Sequence, residues 1–319
     1  MAPSQTLDSR PRGKIDVHHH NFPANIESLY DVDKLGYTLP PENIPWTPEK
    51  SLAAMDELGI EMAILSLPDG WPGAVAYNRK TAQICQEHPD RFGFFASLPD
   101  LRQADAALKE LAYALDELHA NGVTMSSSYG DGADAKYIGD DAFDPIWEEL
   151  DKRGAVVFLH GAQTPSSTPN PHPLLGVPVT EVPNETYKAA AHLVVTGKER
   201  RYPNVKIVLS HLGGNTVWLA PRAAVLASYM GSALTPEEIL ADFKTFYFDT
   251  ALAVDATTMA AMETFVSPER IMFGTDYSAI TTGMAKWYID RLEKFYADKP
   301  DILGDIMANN ARRLIPGLR

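Results

Sequence analysis

Lys14-Ile15-Asp16-Val17-His18-His19-His20 is a short, partly β-branched run that ends in three histidines. Read as a strand, it sends alternate side chains to one face, so His18 and His20 point the same way and His19 points elsewhere. Two imidazoles offered side by side suit zinc, manganese or another borderline divalent ion. Comparable apolar runs follow at Glu61 to Leu67, Phe92 to Leu98, Val123 to Ser126, Ala155 to His160, Val205 to His211, Thr245 to Asp249 and Ile271 to Gly274. Helical patterns lie between them at Pro48 to Leu58, Tyr77 to His88, Ala104 to Ala120, Phe143 to Arg153, Glu185 to Thr196, Val217 to Ala227 and Ala256 to Phe265. Strands alternating with helices in this number predict an α/β fold of parallel βα units closed into a (β/α)8 TIM barrel. The last helices, around Met284 to Ala297 and Ile302 to Leu314, close that barrel rather than form a second module.

The 319 residues, 45% hydrophobic and 22% charged, fit one soluble domain with a large core. That domain is expected over residues 14–319, behind a flexible N-terminal tail of residues 1–13 that holds Pro3, Pro11 and Gly13 and lacks the apolar centre of a secretory signal. A formal net charge of −14 argues against nonspecific attraction to nucleic acid or anionic membrane, which draws on basic surface. No apolar stretch is long enough to cross a bilayer. The single cysteine, Cys85, excludes an internal disulfide framework and points to cytoplasmic residence; within its helix it reads as packing, not as a catalytic thiol. Two proline-rich loops, Asn21 to Trp46 and Gly161 to Asn184, are long enough to suggest function.

The polar residues at the ends of the runs carry the chemistry. His18 and His20 end the first strand, His160 the fifth and His211 the sixth, and Asp276 lies just beyond the eighth. Barrel enzymes build their sites at the C-terminal ends of the strands, so these residues are expected to share one mouth. Any one histidine alone reads as a core or surface side chain, and Asp276 alone as a helix cap; the joint placement favours a site. Ser210 and Thr275 are expected to bond to nearby backbone. Asp16, two residues before His18, is expected on the same face, in a supporting role.

Four segments, Ile15-Asp16-Val17-His18-His19-His20, Val157-Phe158-Leu159-His160-Gly161, Val208-Leu209-Ser210-His211-Leu212-Gly213-Gly214 and Met272-Phe273-Gly274-Thr275-Asp276-Tyr277, resemble the amidohydrolase superfamily. Within it they are closest to the branch of aminocarboxymuconate-semialdehyde, 6-methylsalicylate and related aromatic acid decarboxylases. The resemblance implies an amidohydrolase-like barrel with His18, His20, His160 and Asp276 as metal ligands and His211 as acid/base group. It also places Asp276, or a water handled by His211, as the source of a proton. Three imidazoles and one carboxylate leave a further coordination position for water or substrate. The fourth strand, ending near Met125 and Ser126, offers no lysine or acid to bridge a second ion, so one divalent metal is expected, zinc first and manganese as in some members of the branch.

The implied reaction is non-oxidative decarboxylation of a small aromatic, salicylate-type or enolic acid. Trp46 and Trp71, in loops on the mouth side, and Glu185, in Pro183-Asn184-Glu185-Thr186, are candidates for substrate contact, although the last segment also reads as a helix start capped by Asn184. The semialdehyde decarboxylases hold a substrate carboxylate with an arginine in the loop after the first strand; residues Asn21 to Asn78 contain none, which turns the expectation towards a monocarboxylic phenolic acid. A hydrolase of a lactone, ester or amide is the alternative from the same superfamily, and a non-catalytic binding barrel the alternative from another class. The expected partner is a small-molecule carboxylic acid, with no nucleic acid and no membrane, and homodimers are common in the branch.

Overall fold

The computed structural model describes residues 13–26, 32–67, 73–130, 132–162 and 170–318. Nearly all of the expected tail, and Trp71, lie outside the described residues. Eight parallel strands form the sheet: β1 (Ile15–His20), β2 (Met62–Ser66), β3 (Phe92–Ser97), β4 (Gly122–Ser126), β5 (Val156–His160), β6 (Lys206–Leu209), β7 (Tyr247–Asp249) and β8 (Ile271–Met272). They pair in chain order. Backbone bonds from Val17 to Phe273 and from Asp276 to His18, with an isolated bridge between His19 and Tyr277, join the last strand region to the first. The barrel expected from the sequence is therefore present.

Helix boundaries follow local chemistry. In α1 (Pro48–Leu58), the Thr47 side chain accepts from the Lys50 N–H, proline occupies the first turn, and Gly59 ends the helix at φ +69°. The next helices are α2 (Ala74–Glu87), α3 (Ala104–Asp116) and α4 (Asp144–Arg153). A correction comes at α5 (Val177–Val195), which begins at Val177 rather than Glu185 and carries Pro183 within it. Asn184 is consequently no cap: its Nδ2 donates to Thr180 O at 2.9 Å, one turn back. Then come α6 (Thr216–Tyr229), α7 (Pro236–Phe243), α8 (Ala256–Phe265) and α9 (Thr282–Phe295). The sequence reading missed α7, although Thr235 and Glu238 form its capping box. The expected helix from Ile302 to Leu314 is divided by a π turn at Asp305–Asn309.

Packing sets the height of the site. Ile15, Val17, Ile64, Phe95, Val156, Phe158, Val208 and Met272 fill the barrel interior, and a larger apolar layer lies between strands and helices. With its interior filled, the barrel is not a pore, and polar groups gather at the strand ends. Among the described residues no helix is long and apolar enough to cross a membrane.

A carboxylate away from the mouth sets one pH dependence. Burial pushes Glu199 from 4.5 up to about 7, against the hydrogen bond it accepts from Thr245. A raised carboxyl pKa makes a stability contribution that is present below the unfolded value and lost as pH rises through the folded one. Glu199→Gln, which keeps the acceptor for Thr245 Oγ1 at 2.7 Å, is expected to melt above the parent at pH 8, with the gap closing towards pH 5. Equal melting temperatures at pH 8 would show that Glu199 ionises at no cost.

Candidate metal centre

The strand carrying His18 and His20 does not alternate strictly. The β1–β2 register shifts between Asp16 and His19, so Val17 packs in the barrel interior and His18, the next residue, also reaches inward to meet Phe158 edge-on at 4.9 Å. This irregularity corrects the expected place of Asp16. Its carboxylate turns to the β8 end, accepting from the His18 and Thr275 N–H groups at 3.0 Å and from the Thr275 hydroxyl. Its Oδ2 also holds His19 Nδ1 at 2.9 Å, and His19 Nε2 meets Ser51 Oγ at 2.5 Å. Asp16, His19 and Ser51 resemble a nucleophilic triad in connectivity, but each is essentially sealed from solvent. They act as a lock between β1, α1 and the segment after β8.

Each site imidazole is oriented through Nδ1. Ser66 O receives the bond from His20 at 3.1 Å, Gly161 O that from His160 at 2.8 Å, and Ala251 O that from His211 at 3.0 Å. Asp249 Oδ2 receives that from His18 at 3.0 Å. Carbonyl oxygens only accept, so these Nδ1 atoms carry hydrogen and each neutral ring presents a bare Nε2. His18 Nε2 and His20 Nε2 lie 3.2 Å apart, with Asp276 Oδ1 3.3 Å from the first and 2.9 Å from the second. Three lone-pair atoms packed so closely repel unless a proton or cation lies among them. Donor atoms about 2.1 Å from one small divalent ion lie roughly 3 Å apart, so the donor set fits such an ion.

Among the described residues two groups satisfy ligand spacing, His18 with His20 and Asp276, and His18 with His160 and His211. The structure thus brings together all five residues expected at the mouth, and geometry alone does not divide His211 from the ligands. Electrostatics show the same demand for positive charge. Burial opposes a charged His18, yet Asp249 and Asp276 outweigh it and pull its pKa from 6.5 up to about 10. Burial, with His18 nearby, holds His160 well below the usual histidine range and lowers His211. Burial also works to raise Asp276, but charged His18 and bonds from His18 and His20 hold its carboxyl well below the usual range.

Asp249, at the end of β7, is the functional residue that the sequence reading passed over. It is fully buried; besides holding His18, it uses Oδ1 to accept from the N–H groups of Ala251 at 2.8 Å and His211 at 3.2 Å. One carboxylate therefore ties His18 to the turn that carries His211. Its position at the end of an apolar run was the available signal, but its neighbours come from β1 and β6. The turn itself runs through positive φ from His211 to Gly214, at 56°, 51°, 72° and 58°, and Asp276 sits at 70°. Such conformations are costly for residues with side chains. Gly214 meets that geometry and a close approach together, since a Cβ there would lie 2.0 Å from Pro183 O.

His20, His160, His211 and Asp276 form part of the wall of a cavity of about 630 Å³. Of the three substrate candidates, Trp46 and Glu185 lie off this wall, and Trp71 is outside the described residues. Trp46 is buried in the main apolar cluster and is not among the described wall residues. The Glu185 carboxylate accepts from Ser127 Oγ, Tyr137 Oη and Lys188 Nζ, and it too lies off the wall. Among the described residues, aromatic side chains on the wall are Phe22, Tyr37, Trp218, Trp287 and Tyr288. For Trp218, Trp287 and Tyr288 this depends on which faces α6 and α9 turn to the mouth, information that spacing does not hold.

Residues 15–317 match the family model described as amidohydrolase. The chain is 35% identical to a 6-methylsalicylic acid decarboxylase of Aspergillus aculeatus, over 96% of this chain and 97% of the relative. Among solved structures, 2,6-dihydroxybenzoate decarboxylase in complex with 2,6-dihydroxybenzoate aligns with a TM-score of 0.77 at 25% identity, over 95% of this chain and 99% of the other. A dihydroxybenzoic acid decarboxylase from Polaromonas sp. JS666, with bound manganese and 2-nitroresorcinol, aligns with a TM-score of 0.78 at 23% identity, over 95% and 96% of the two chains.

Proposed function

The chain belongs to the amidohydrolase family, and from that premise we propose that it is a metal-dependent, non-oxidative decarboxylase of a small aromatic acid of the salicylate type. The observation that carries the reading is the convergence of His18 Nε2, His20 Nε2 and Asp276 Oδ1 within 3.3 Å, with His20 and Asp276 on the cavity wall. The activity of the relatives supports decarboxylation over hydrolysis. We assign His18, His20, His160 and Asp276 as ligands and His211 as the acid/base group. Zinc suits three imidazoles and a carboxylate, and manganese, carried by the dihydroxybenzoic acid decarboxylase neighbour, is its competitor.

A divalent ion bound there supplies Lewis-acid stabilisation of charge on the substrate oxygens. The residues do the rest. Asp249 keeps His18 in one orientation, and the left-handed turn aims His211 into the cavity. Carbon dioxide leaves as a proton takes its place on the ring carbon; that proton arrives from His211 through water or from Asp276. Incubation with 6-methylsalicylate and with dihydroxybenzoates, with carbon dioxide and the phenol product measured, tests the reading. Hydrolysis of a lactone or ester with no carbon dioxide from any such acid would overturn it in favour of the hydrolase alternative.

The Asp249 contact yields a separate prediction. A carboxylate behind a ligating histidine is worth about 10- to 100-fold in metal affinity. Asp249→Asn should therefore weaken metal binding by that factor in a chelator competition while the circular dichroism spectrum stays that of the parent. Unchanged affinity would reduce Asp249 to a structural support.

A further inference from the structure

The cavity is much larger than one aromatic ring requires. An apolar cavity of roughly 150 Å³ holds a benzene molecule, whereas this one measures about 630 Å³. Its chemistry is also uneven. His20, His160, His211 and Asp276 cluster on this wall; elsewhere the wall is mainly apolar and includes Ile26, Val182 and Ile280. Val179, Trp218, Met284 and Trp287 are on the wall yet 52%, 54%, 43% and 46% exposed, so they mark the opening.

Charge narrows the choice. Among the described wall residues there is no lysine or arginine, and the acids are Asp255 and Asp276. Asp255 caps α8, accepting from the Thr257 N–H, and pairs with Arg291, itself off the wall, at 4.0 Å; a second anionic group on the substrate would find no lysine or arginine among the described wall residues. A neutral apolar substituent gains from the same surface, since each buried methylene is worth about fourfold in affinity.

Resting on the decarboxylase reading, we propose that the acid this site takes carries a neutral apolar extension, an alkyl chain or second ring, reaching from the metal end to the mouth beside Trp218 and Trp287. The reaction remains balanced as before: the bond between ring and carboxylate carbon breaks, carbon dioxide departs, and a proton fills the ring position. A 2-hydroxy-6-alkylbenzoate thus gives a 3-alkylphenol.

Two measurements on the full chain test this. The first compares carbon dioxide release from 2-hydroxy-6-methylbenzoate and 2-hydroxy-6-pentylbenzoate with metal-loaded enzyme; the second compares binding of 3-methylphenol and 3-pentylphenol by calorimetry. The pentyl compounds are expected to show kcat/KM at least tenfold higher and Kd at least tenfold lower. In Trp218→Ala and Trp287→Ala, both half-exposed positions, the pentyl-to-methyl ratio should shrink at least threefold. Turnover of the methyl acid with no advantage for pentyl in either measurement overturns the extension and leaves decarboxylation standing. Tenfold tighter binding of 3-pentylphenol, with no carbon dioxide from either acid, supports the apolar extension and overturns the decarboxylase reading instead.

Discussion

His18→Ala and His20→Ala are expected to lose the bound ion and, with it, turnover. Each removes one of the Nε2 atoms that face each other at 3.2 Å beside Asp276, leaving an incomplete donor set. Lewis-acid stabilisation worth several kcal/mol corresponds to about a thousandfold in rate, so carbon dioxide release should fall at least that far. Metal content by atomic emission should drop from near one equivalent to a small fraction. Proton competition gives an independent readout. Without an ion, Asp249 and Asp276 pull the His18 pKa up to about 10 despite its burial, so metal must displace a proton, and apparent affinity should weaken as pH falls. Full occupancy in His18→Ala, or affinity that does not change with pH, would refute the ligand assignment.

The second large effect separates His211 from the ligands. His211→Ala should retain the ion while kcat falls by about 10²- to 10⁴-fold, the usual worth of a positioned acid/base group. The contrast is needed because His18, His160 and His211 also satisfy ligand spacing. If metal and activity vanish together in His211→Ala, His211 is a ligand and another group handles the proton. The His211 ring is anchored as those of the candidate ligands His20 and His160 are. Nδ1 is held by Ala251 O at 3.0 Å, the backbone N–H by Asp249, and Nε2 is left to the cavity.

Much of the barrel was legible because strands and helices are local periodicities. β5 ends at His160 as expected, and α1 and α8 have the bounds read from their sequence. Misjudged elements depended on context. The strand read from Lys14 begins at Ile15, but the register shift between Asp16 and His19 sent Asp16 away from the face that strict alternation assigns it. Pro183 read as a break before a helix; α5 instead carries it within. The isolated capping motif before α7 went unused, since its helix follows no strand.

The sequence by itself determined the alternation of strands and helices and the appearance of His18, His20, His160, His211 and Asp276 at strand ends, because both follow from periods of two and 3.6 and from the chain direction in a parallel barrel. Only the tertiary structure decided that Asp249 binds both His18 and the His211 turn, that Trp46 and Glu185 lie off the cavity wall, and that Trp218 and Trp287 lie on it. Those relations depend on barrel register and helix rotation, which bring residues from distant segments within hydrogen-bond reach and leave no trace in the spacing along the chain.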